Sequence, residues 1–222
     1  MLHHVAFWNT GRPDFLCPNK LEHVFGAGGE MNDWPALPGF GYRVHAGDRI
    51  RVDTMFHNPT DTAYPDAYLE VRIEYVPASA QPNIRSVYPA WFDVKECGNS
   101  GYDLAAGQSV TTGKVTLGYS GRLLGVGGHL HDYGESLELF NLTTGAQIAA
   151  LRSQQDANGR LLSMPVRTFV AQGGFPLAKN DVLKVTATYV NPGAKLVPEG
   201  AMGIVVGYFL PENDAELAAL KK

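Results

Sequence analysis

The sequence predicts an all-β fold of two antiparallel β-sandwich domains, each jelly-roll-like, followed by a short C-terminal helix. Apolar and polar residues alternate with period two along most of the chain, which is the pattern of half-buried strands. The 222 residues include 25 Gly and 14 Pro, too many turn formers to leave room for long helices. About a dozen short candidate strands separated by turns are typical of β-sandwiches.

The individual strands follow from this alternation. Within residues 48–57, Ile50, Val52 and Phe56 share one face, and residues 67–76 (AYLEVRIEYV) alternate in the same way. A hairpin turn, LTTGA, is predicted between strands at 136–141 and 147–152. The remaining strand candidates are residues 2–8, 41–45, 84–89, 109–118, 121–131, 166–171, 182–191 and 202–210.

The chain ends in the one segment that predicts a helix, AELAALKK, which follows Pro211 to Asp214. Asn213 or Asp214 can cap its first turn, and the closing lysines suit the helix dipole. The loop-like stretch 98–107 (GNSGYDLAAG) predicts a domain boundary, giving one sandwich at residues 1–100 and another at 101–222. One continuous sheet system would produce the same pattern, so both arrangements stay open.

Composition and charge exclude several classes of protein. Hydrophobic residues make up 45% and charged residues 18%, as in ordinary globular proteins and unlike disordered ones. The formal net charge is -4 and no run of Lys or Arg occurs, which argues against nucleic acid and anionic membrane surfaces as partners. No apolar run approaches the roughly 18 residues of a membrane span.

The two cysteines, Cys17 and Cys97, lie far apart and belong to no CxxC pair, which argues against a cysteine-based zinc site. A disulfide that closes a long loop and two unrelated buried thiols are equally compatible with this spacing. The first residues, MLHHVAF, lack the basic start and apolar run of a signal peptide. We expect a secreted or periplasmic protein in its mature or trimmed form.

Four of the seven histidines are grouped, as His3-His4 and as His129-Leu130-His131. In the second group, alternation puts both imidazoles on one strand face and turns Leu130 to the core. Two such rings can hold one metal ion. The adjacent pair can do so only where the strand bulges or twists, because neighbouring side chains otherwise point to opposite faces.

A metal site needs a third donor for each group. For the first group His57 is a candidate, because it ends a strand immediately before a loop. For the second group, His45, Asp132, Glu135 and Met202 are candidates. A thioether is a soft ligand that favours Cu(I), so a His2Met set would indicate copper that changes oxidation state. In the alternative interpretation, Met202 only fills space in the core.

Read in order, these groups resemble the copper type II, ascorbate-dependent monooxygenases, the family of the peptidylglycine α-hydroxylating and dopamine β-monooxygenases. A compact bacterial member or a plant stress up-regulated nodulin-like protein is a closer parallel, because the loops of this chain are shorter. The resemblance covers nearly the whole chain, and its motifs are Leu2-His3-His4-Val5, Met55-Phe56-His57-Asn58, Gly128-His129-Leu130-His131 and Met202.

The resemblance implies two copper ions, one on each sandwich, across a wet cleft. His3, His4 and His57 would hold the electron-transfer copper, and His129, His131 and Met202 the copper at which O2 is activated. A reductant such as ascorbate would supply electrons one at a time, and a substrate C–H bond would be hydroxylated. The metal supplies the demanding chemistry, whereas the protein sets ligand geometry and substrate position.

The sequence departs from this family at the substrate anchors. The peptide-hydroxylating members bind a substrate carboxylate at three positions that correspond to Gly127, Ile204 and Val206, none of which can do so. A peptidylglycine substrate is therefore disfavoured. The substrate class, small molecule or polymer, stays open.

Two other classes of function remain. A binding protein could keep a copper site without turnover, and a structural or carbohydrate-binding sandwich could present Trp8, Trp34 and Trp91 with no tight copper site. Hydrolytic chemistry is disfavoured, because no GxSxG occurs. Glu30 lies in GAGGEMND, which predicts an ordinary turn and not a calcium loop, since the DxDxDG order is missing.

Overall fold

The fold is all-β with one short C-terminal helix, as the sequence predicts. A computed structural model describes residues 2–31, 34–56, 58, 60–81 and 83–220. In chain order the elements are β1 Leu2–Pro13, β2 Leu21–Gly28, β3 Phe40–Gly41, β4 Ile50–Phe56, β5 Arg85–Ser86, β6 Tyr88–Asp93, β7 Tyr102–Leu104, β8 Gly107–Thr116, β9 Gly121–His129, β10 Gly134–Asn141, β11 Ala146–Arg152, β12 Gln154–Gln155, β13 Leu161–Ser163, β14 Arg167–Thr168, a 3-10 turn Val170–Gln172, β15 Phe175–Leu177, β16 Val182–Asn191, β17 Val197–Ala201, β18 Ile204–Pro211 and α1 Asp214–Ala218.

The centre of the molecule is a sandwich of two antiparallel sheets. One sheet has the order β11-β10-β16-β8, and the other has the order β14-β9-β18-β6 with β15 also paired to β9. Along β16 buried and half-buried residues alternate, so that Val185 and Ala187 face the core while their neighbours face outward. They pack in one cluster with Leu123 and Val205 of the opposite sheet. Period two therefore predicts which side chains fill the sandwich.

A third sheet, β2-β1-β4, contributes the N-terminal residues and packs on the outer face of β6. Ala90 and Phe92 of β6 point into the core, whereas Trp91 points outward between them. The Trp91 ring stacks on His23 of β2 at 3.9 Å between ring centroids. Its other neighbour is Gly26, where an added Cβ would lie 2.9 Å from the indole. This contact fixes the third sheet against the sandwich.

A disulfide joins Cys17 to Cys97, with a Cα–Cα distance of 5.5 Å. The structure therefore agrees with the disulfide and not with two unrelated buried thiols. The bond ties the segment after β1 to the segment after β6. The third sheet is thus held to the sandwich covalently as well as by packing.

The C-terminal helix begins as predicted and is shorter than predicted. The side chain of Asn213 accepts a hydrogen bond from the N–H of Ala215 and so caps α1. The helix covers Asp214–Ala218, and Leu217 anchors it in the core. No helix in the described parts of the chain is both long enough and apolar enough to cross a membrane.

Some strand predictions are wrong. Residues 67–76 form no strand, and Tyr68, Ile73 and Tyr75 are 84%, 74% and 81% exposed. Their alternation indicates an amphipathic segment, but no neighbouring strand pairs with it. Of residues 41–45 only Gly41 is in a strand. The elements that the sequence does not predict are β2, β7, β12, β13, β15 and β17, most of them two or three residues long or rich in glycine.

The domain boundary near residue 100 stays a prediction. Strands on both sides of that position contribute to the same sheet, since β6 pairs with β18.

Candidate metal centre

The first histidine pair lies near the start of β1, at an irregularity in the strand. The pairing of β1 with β4 shifts between Leu2 and His4, so that the backbone departs from regular pleating at His3. The rings of His3 and His4 lie 4.9 Å apart between centroids instead of on opposite faces. This is the distortion that the sequence requires if both adjacent histidines are to act together.

The second histidine pair lies at the end of β9. His129 is the last residue of the strand, and His131 follows in the turn to β10. Leu130, between them, is 1% exposed and points into the core, as alternation predicts. The two imidazoles are 5.4 Å apart between centroids and nearly perpendicular.

The fold brings the two pairs side by side. The ring of His3 lies 5.7 Å from that of His131, and the ring of His4 lies 6.0 Å from that of His129. We call His3, His4, His129 and His131 the histidine cluster. Nothing in the sequence predicts this juxtaposition, because the pairs belong to different sheets more than 120 positions apart.

Two ring nitrogens of the histidine cluster are suited to a metal ion. His4 Nδ1 and His131 Nε2 are buried, and neither has a hydrogen-bond partner among the described residues. Burial, followed by the nearby His129 and His3 rings, lowers the pKa of His4. Burial and the three neighbouring histidines lower the pKa of His131 to about 4. Both rings are therefore neutral at pH 7, which is the form that binds metals.

The spacing of the rings is also compatible with coordination. Two imidazoles bound to one tetrahedral ion through bonds of about 2 Å have ring centres about 5 Å apart. Within the described residues, however, no three His, Cys, Asp or Glu side chains converge closely enough to hold an ion as they stand. The donor chemistry and the two buried ring nitrogens without partners fit a metal.

Glu30 is the site residue that the sequence does not reveal. Its Oε1 lies 2.6 Å from Nδ1 of His129, and its side chain is 9% exposed. Burial alone would raise the pKa of Glu30, but the hydrogen bond to His129 and the charge of that ring outweigh it and lower the pKa. The prediction of an ordinary turn describes the backbone correctly and misses the long-range contact of the side chain.

Met202 lies near His131, since the backbones of both residues bond to the hydroxyl of Tyr189. In the pairing of β9 with β18, His129 is opposite Ile204, and Met202 lies two residues before Ile204 in the chain. The Tyr189 hydroxyl connects Met202 with His131, because it accepts the N–H of His131 and the N–H of Met202 and donates to the Met202 carbonyl. The sequence carries no signal for this role of Tyr189.

A mostly buried apolar cluster lies beside His129, because Ile204 is opposite His129 in the sheet. Met202 packs in a cluster with Ile204, Val206, Met31 and, at the edge, Trp34 and Trp91. The space in front of Gly127 is filled by Met31 and Trp34. The three positions at which a substrate carboxylate would be anchored, Gly127, Ile204 and Val206, thus belong to an apolar wall.

The other sequence candidates are exposed or lie outside the described part of the chain. His57 lies outside the described residues, so its place as third donor stays a prediction. His45 is exposed, and its Nδ1 lies 3.7 Å from Oδ2 of Asp48. The Asp132 carboxylate accepts the N–H of Leu161, and Glu135 is exposed.

His23 is structural, as its isolation in the sequence suggests. It lies between the rings of Trp8 and Trp91, and its Nδ1 is 3.1 Å from Asp14.

Comparison with protein-family models finds no match. Two fungal proteins are similar to nearly the whole chain. The "Probable copper-dependent oxygenase M1" of Phoma sp. is 23% identical over 229 aligned residues, which cover 94% of this chain and 57% of that protein. The "Probable copper-dependent oxygenase clz3" of Cochliobolus lunatus is 24% identical over 238 aligned residues, which cover 96% of this chain and 75% of that protein. The chain thus spans little more than half the length of the first relative and three quarters of the second.

Proposed function

We propose that this chain is a copper-dependent monooxygenase that hydroxylates a C–H bond with O2 and a one-electron reductant such as ascorbate. The observation that carries the proposal is the convergence of four histidines, two of which have buried and unpartnered ring nitrogens. The similarity to two proteins named as probable copper-dependent oxygenases supports the choice of metal and of reaction class.

In this proposal two copper ions are held by the six residues that the sequence singles out. His129, His131 and Met202 form the ligand set at which O2 reacts, and His3, His4 and His57 form the set that passes electrons. When bound, copper supplies the one-electron chemistry that O2 activation requires. Imidazole nitrogens suit both oxidation states of copper, and the thioether of Met202 favours the reduced ion.

The protein's own contribution is to orient these donors and to shape the surface beside them. The bulge at His3 turns adjacent imidazoles to the same side. Met31, Ile204 and Val206 form a buried apolar cluster against which Trp34 packs. The lack of a polar side chain at Gly127, Ile204 and Val206 favours a substrate that is not bound through a carboxylate, such as one that presents a hydrocarbon group.

The disulfide supports an extracellular or periplasmic location, because such bonds persist in oxidising compartments. O2 and the reductant are the partners that the reaction needs.

Metal analysis tests the ligand assignment. We expect the purified protein to bind two equivalents of copper and the variants His129→Ala and His57→Ala each to lose one. His45→Ala, at an exposed position outside the histidine cluster, is the matched control and should keep both. The assignment is wrong if neither variant loses copper, and the division into two sites is wrong if either variant alone loses both ions.

O2 consumption tests the reaction. With copper and ascorbate present, we expect uptake coupled to a hydroxylated product from an apolar substrate in a panel that also contains peptides with a C-terminal glycine. Stoichiometric copper binding without any coupled product would instead favour the non-catalytic copper-binding protein.

A further inference from the structure

We infer that Glu30 is a positioning residue that fixes the His129 ring with its proton on Nδ1, so that Nε2 is the atom offered to the metal. The inference rests on the proposed function as far as it concerns copper, but the state of the ring is a property of the metal-free protein.

The contact itself defines the direction of the hydrogen bond. Glu30 Oε1 is 2.6 Å from His129 Nδ1, and both side chains are largely buried, at 9% and 14% exposure. A carboxylate can only accept hydrogen bonds. The shared proton is therefore on Nδ1, so that whenever the ring is neutral its lone pair is on Nε2. Carboxylates that hold a ligating imidazole in this way fix the orientation of the ring and strengthen it as a donor.

The backbone of the turn that contains Glu30 is fixed, and it leaves room for the carboxylate to extend to His129. Gly28 and Met31 close the turn through reciprocal backbone hydrogen bonds, and the Glu30 carbonyl accepts the N–H of Met164. The Glu30 carboxylate folds back over Gly28, where an added Cβ would overlap it. A glycine at position 28 thus leaves room for the carboxylate on its way to His129.

The same contact connects the two halves of the histidine cluster. Gly28 lies opposite His4 in the pairing of β2 with β1, and the turn that follows it carries Glu30 to His129 on β9. The orientation of the second pair therefore depends on a residue from the sheet that carries the first pair. A buried negative charge at this place also stabilises Cu(II) relative to Cu(I).

The first experiment uses the metal-free protein. Long-range proton–nitrogen NMR of the histidine rings should show His129 with its proton on Nδ1. Glu30→Gln, whose amide oxygen can still accept the bond, should keep this form. Glu30→Ala, and Gly28→Ala, which displaces the carboxylate but leaves its charge, should both shift His129 towards the other tautomer. An Nε2–H ring in the wild-type protein, or an unchanged ring in Glu30→Ala, would overturn the inference.

The second experiment uses the copper-loaded protein. Loss of a carboxylate that orients a metal ligand typically weakens metal binding by about 10–100-fold, so we expect this for Glu30→Ala. Glu30→Gln should change the Cu(II) electron paramagnetic resonance spectrum and raise the reduction potential, whereas Glu138→Gln, at an exposed position on β10, should change neither.

Unchanged affinity, spectrum and potential in all Glu30 variants would overturn the effect on copper. Absence of copper binding by the wild-type protein would instead overturn the proposed function, and the NMR result would still decide the state of His129.

Discussion

At the scale of single residues, the Tyr189 hydroxyl is one polar atom with three backbone partners. It is held at 2.9 Å from the His131 nitrogen, 3.1 Å from the Met202 nitrogen and 2.5 Å from the Met202 oxygen. Burial raises the pKa of Tyr189, so the hydroxyl keeps its proton and can donate it to the carbonyl. One side chain thereby sets the separation of two proposed copper ligands.

Removal of this hydroxyl should destabilise the protein and loosen the site. Tyr189→Phe leaves three partly buried backbone groups without this partner, and we expect a loss of about 1–3 kcal/mol in the free energy of unfolding. Denaturant titration measures it. Tyr208→Phe, whose ring packs against Trp34, is the matched control. An equal loss in both variants would contradict a special role for Tyr189.

The buried His23 should make stability depend on pH. Burial lowers its pKa in spite of the hydrogen bond to Asp14, so below about pH 6.5 the unfolded chain binds a proton that the folded protein resists. The free energy of unfolding should therefore fall as the pH falls from 6.5 towards the folded-state pKa.

The measurement is denaturant unfolding at several pH values. His23→Phe should reduce the slope of stability against pH in this window by up to about 1.4 kcal/mol per pH unit. His45→Gln controls for the loss of an exposed histidine. A slope that His23→Phe leaves unchanged would contradict the argument.

At the scale of elements, the two sheets of the sandwich approach each other closely where β8 passes the end of β6. A Cβ at Gly113 of β8 would lie 2.5 Å from the Val94 carbonyl oxygen and 2.7 Å from that of Asp93. These are backbone atoms that cannot rotate away. The N–H of Val94 donates a hydrogen bond to the Gly203 carbonyl, and this bond fixes the position of the chain where the sheets meet.

A methyl group at this crossing should therefore be costly. Gly113→Ala should lower the free energy of unfolding by about 1–3 kcal/mol through overpacking. Gly118→Ala is a suitable control, since Gly118 has no atom within 4 Å of an added Cβ. Thermal unfolding of both variants makes the comparison, and equal midpoints would contradict the close approach.

Elements are predictable where the alternation of a strand coincides with its burial, as along β16. The failure at residues 67–76 shows the limit of this argument. Periodicity describes one strand, whereas a sheet needs a partner whose identity depends on residues far away in the chain. β2 is missed for the opposite reason: it has a partner, but its glycines interrupt the alternation of side chains. Gly26 is required there because the Trp91 ring packs directly against its backbone.

At the scale of the whole molecule, the Cys17–Cys97 bond closes a loop across 80 positions and joins the third sheet to the sandwich. In the chain-entropy treatment a loop of that length corresponds to about 4.5 kcal/mol of stabilisation.

The double variant Cys17→Ala/Cys97→Ala tests this contribution. It should lose about 2–5 kcal/mol of unfolding free energy. Either single variant should lose a similar amount, because each breaks the same bond. A loss below about 1 kcal/mol would mean that packing alone holds the third sheet in place.

The types and order of the candidate ligands could be taken from the sequence, but their arrangement could not. His129 and His131 lie two positions apart, so their spacing is informative by itself. The contact of His3 with His131 and the reach of Glu30 to His129 depend on how separate sheets pack. Tertiary contacts between distant segments leave no local pattern.

The contact between the histidines of β1 and those at the end of β9 has a consequence for the synthesis of the protein. His3 and His4 leave the ribosome long before His129 and His131, and β18 must follow before β9 is paired on that side. During this interval the first imidazole pair lacks the two imidazoles that lie beside it in the folded protein. Under the proposed function, delivery of copper after β18 has folded would favour the complete centre, whereas free metal ions present earlier would compete for an unfinished one.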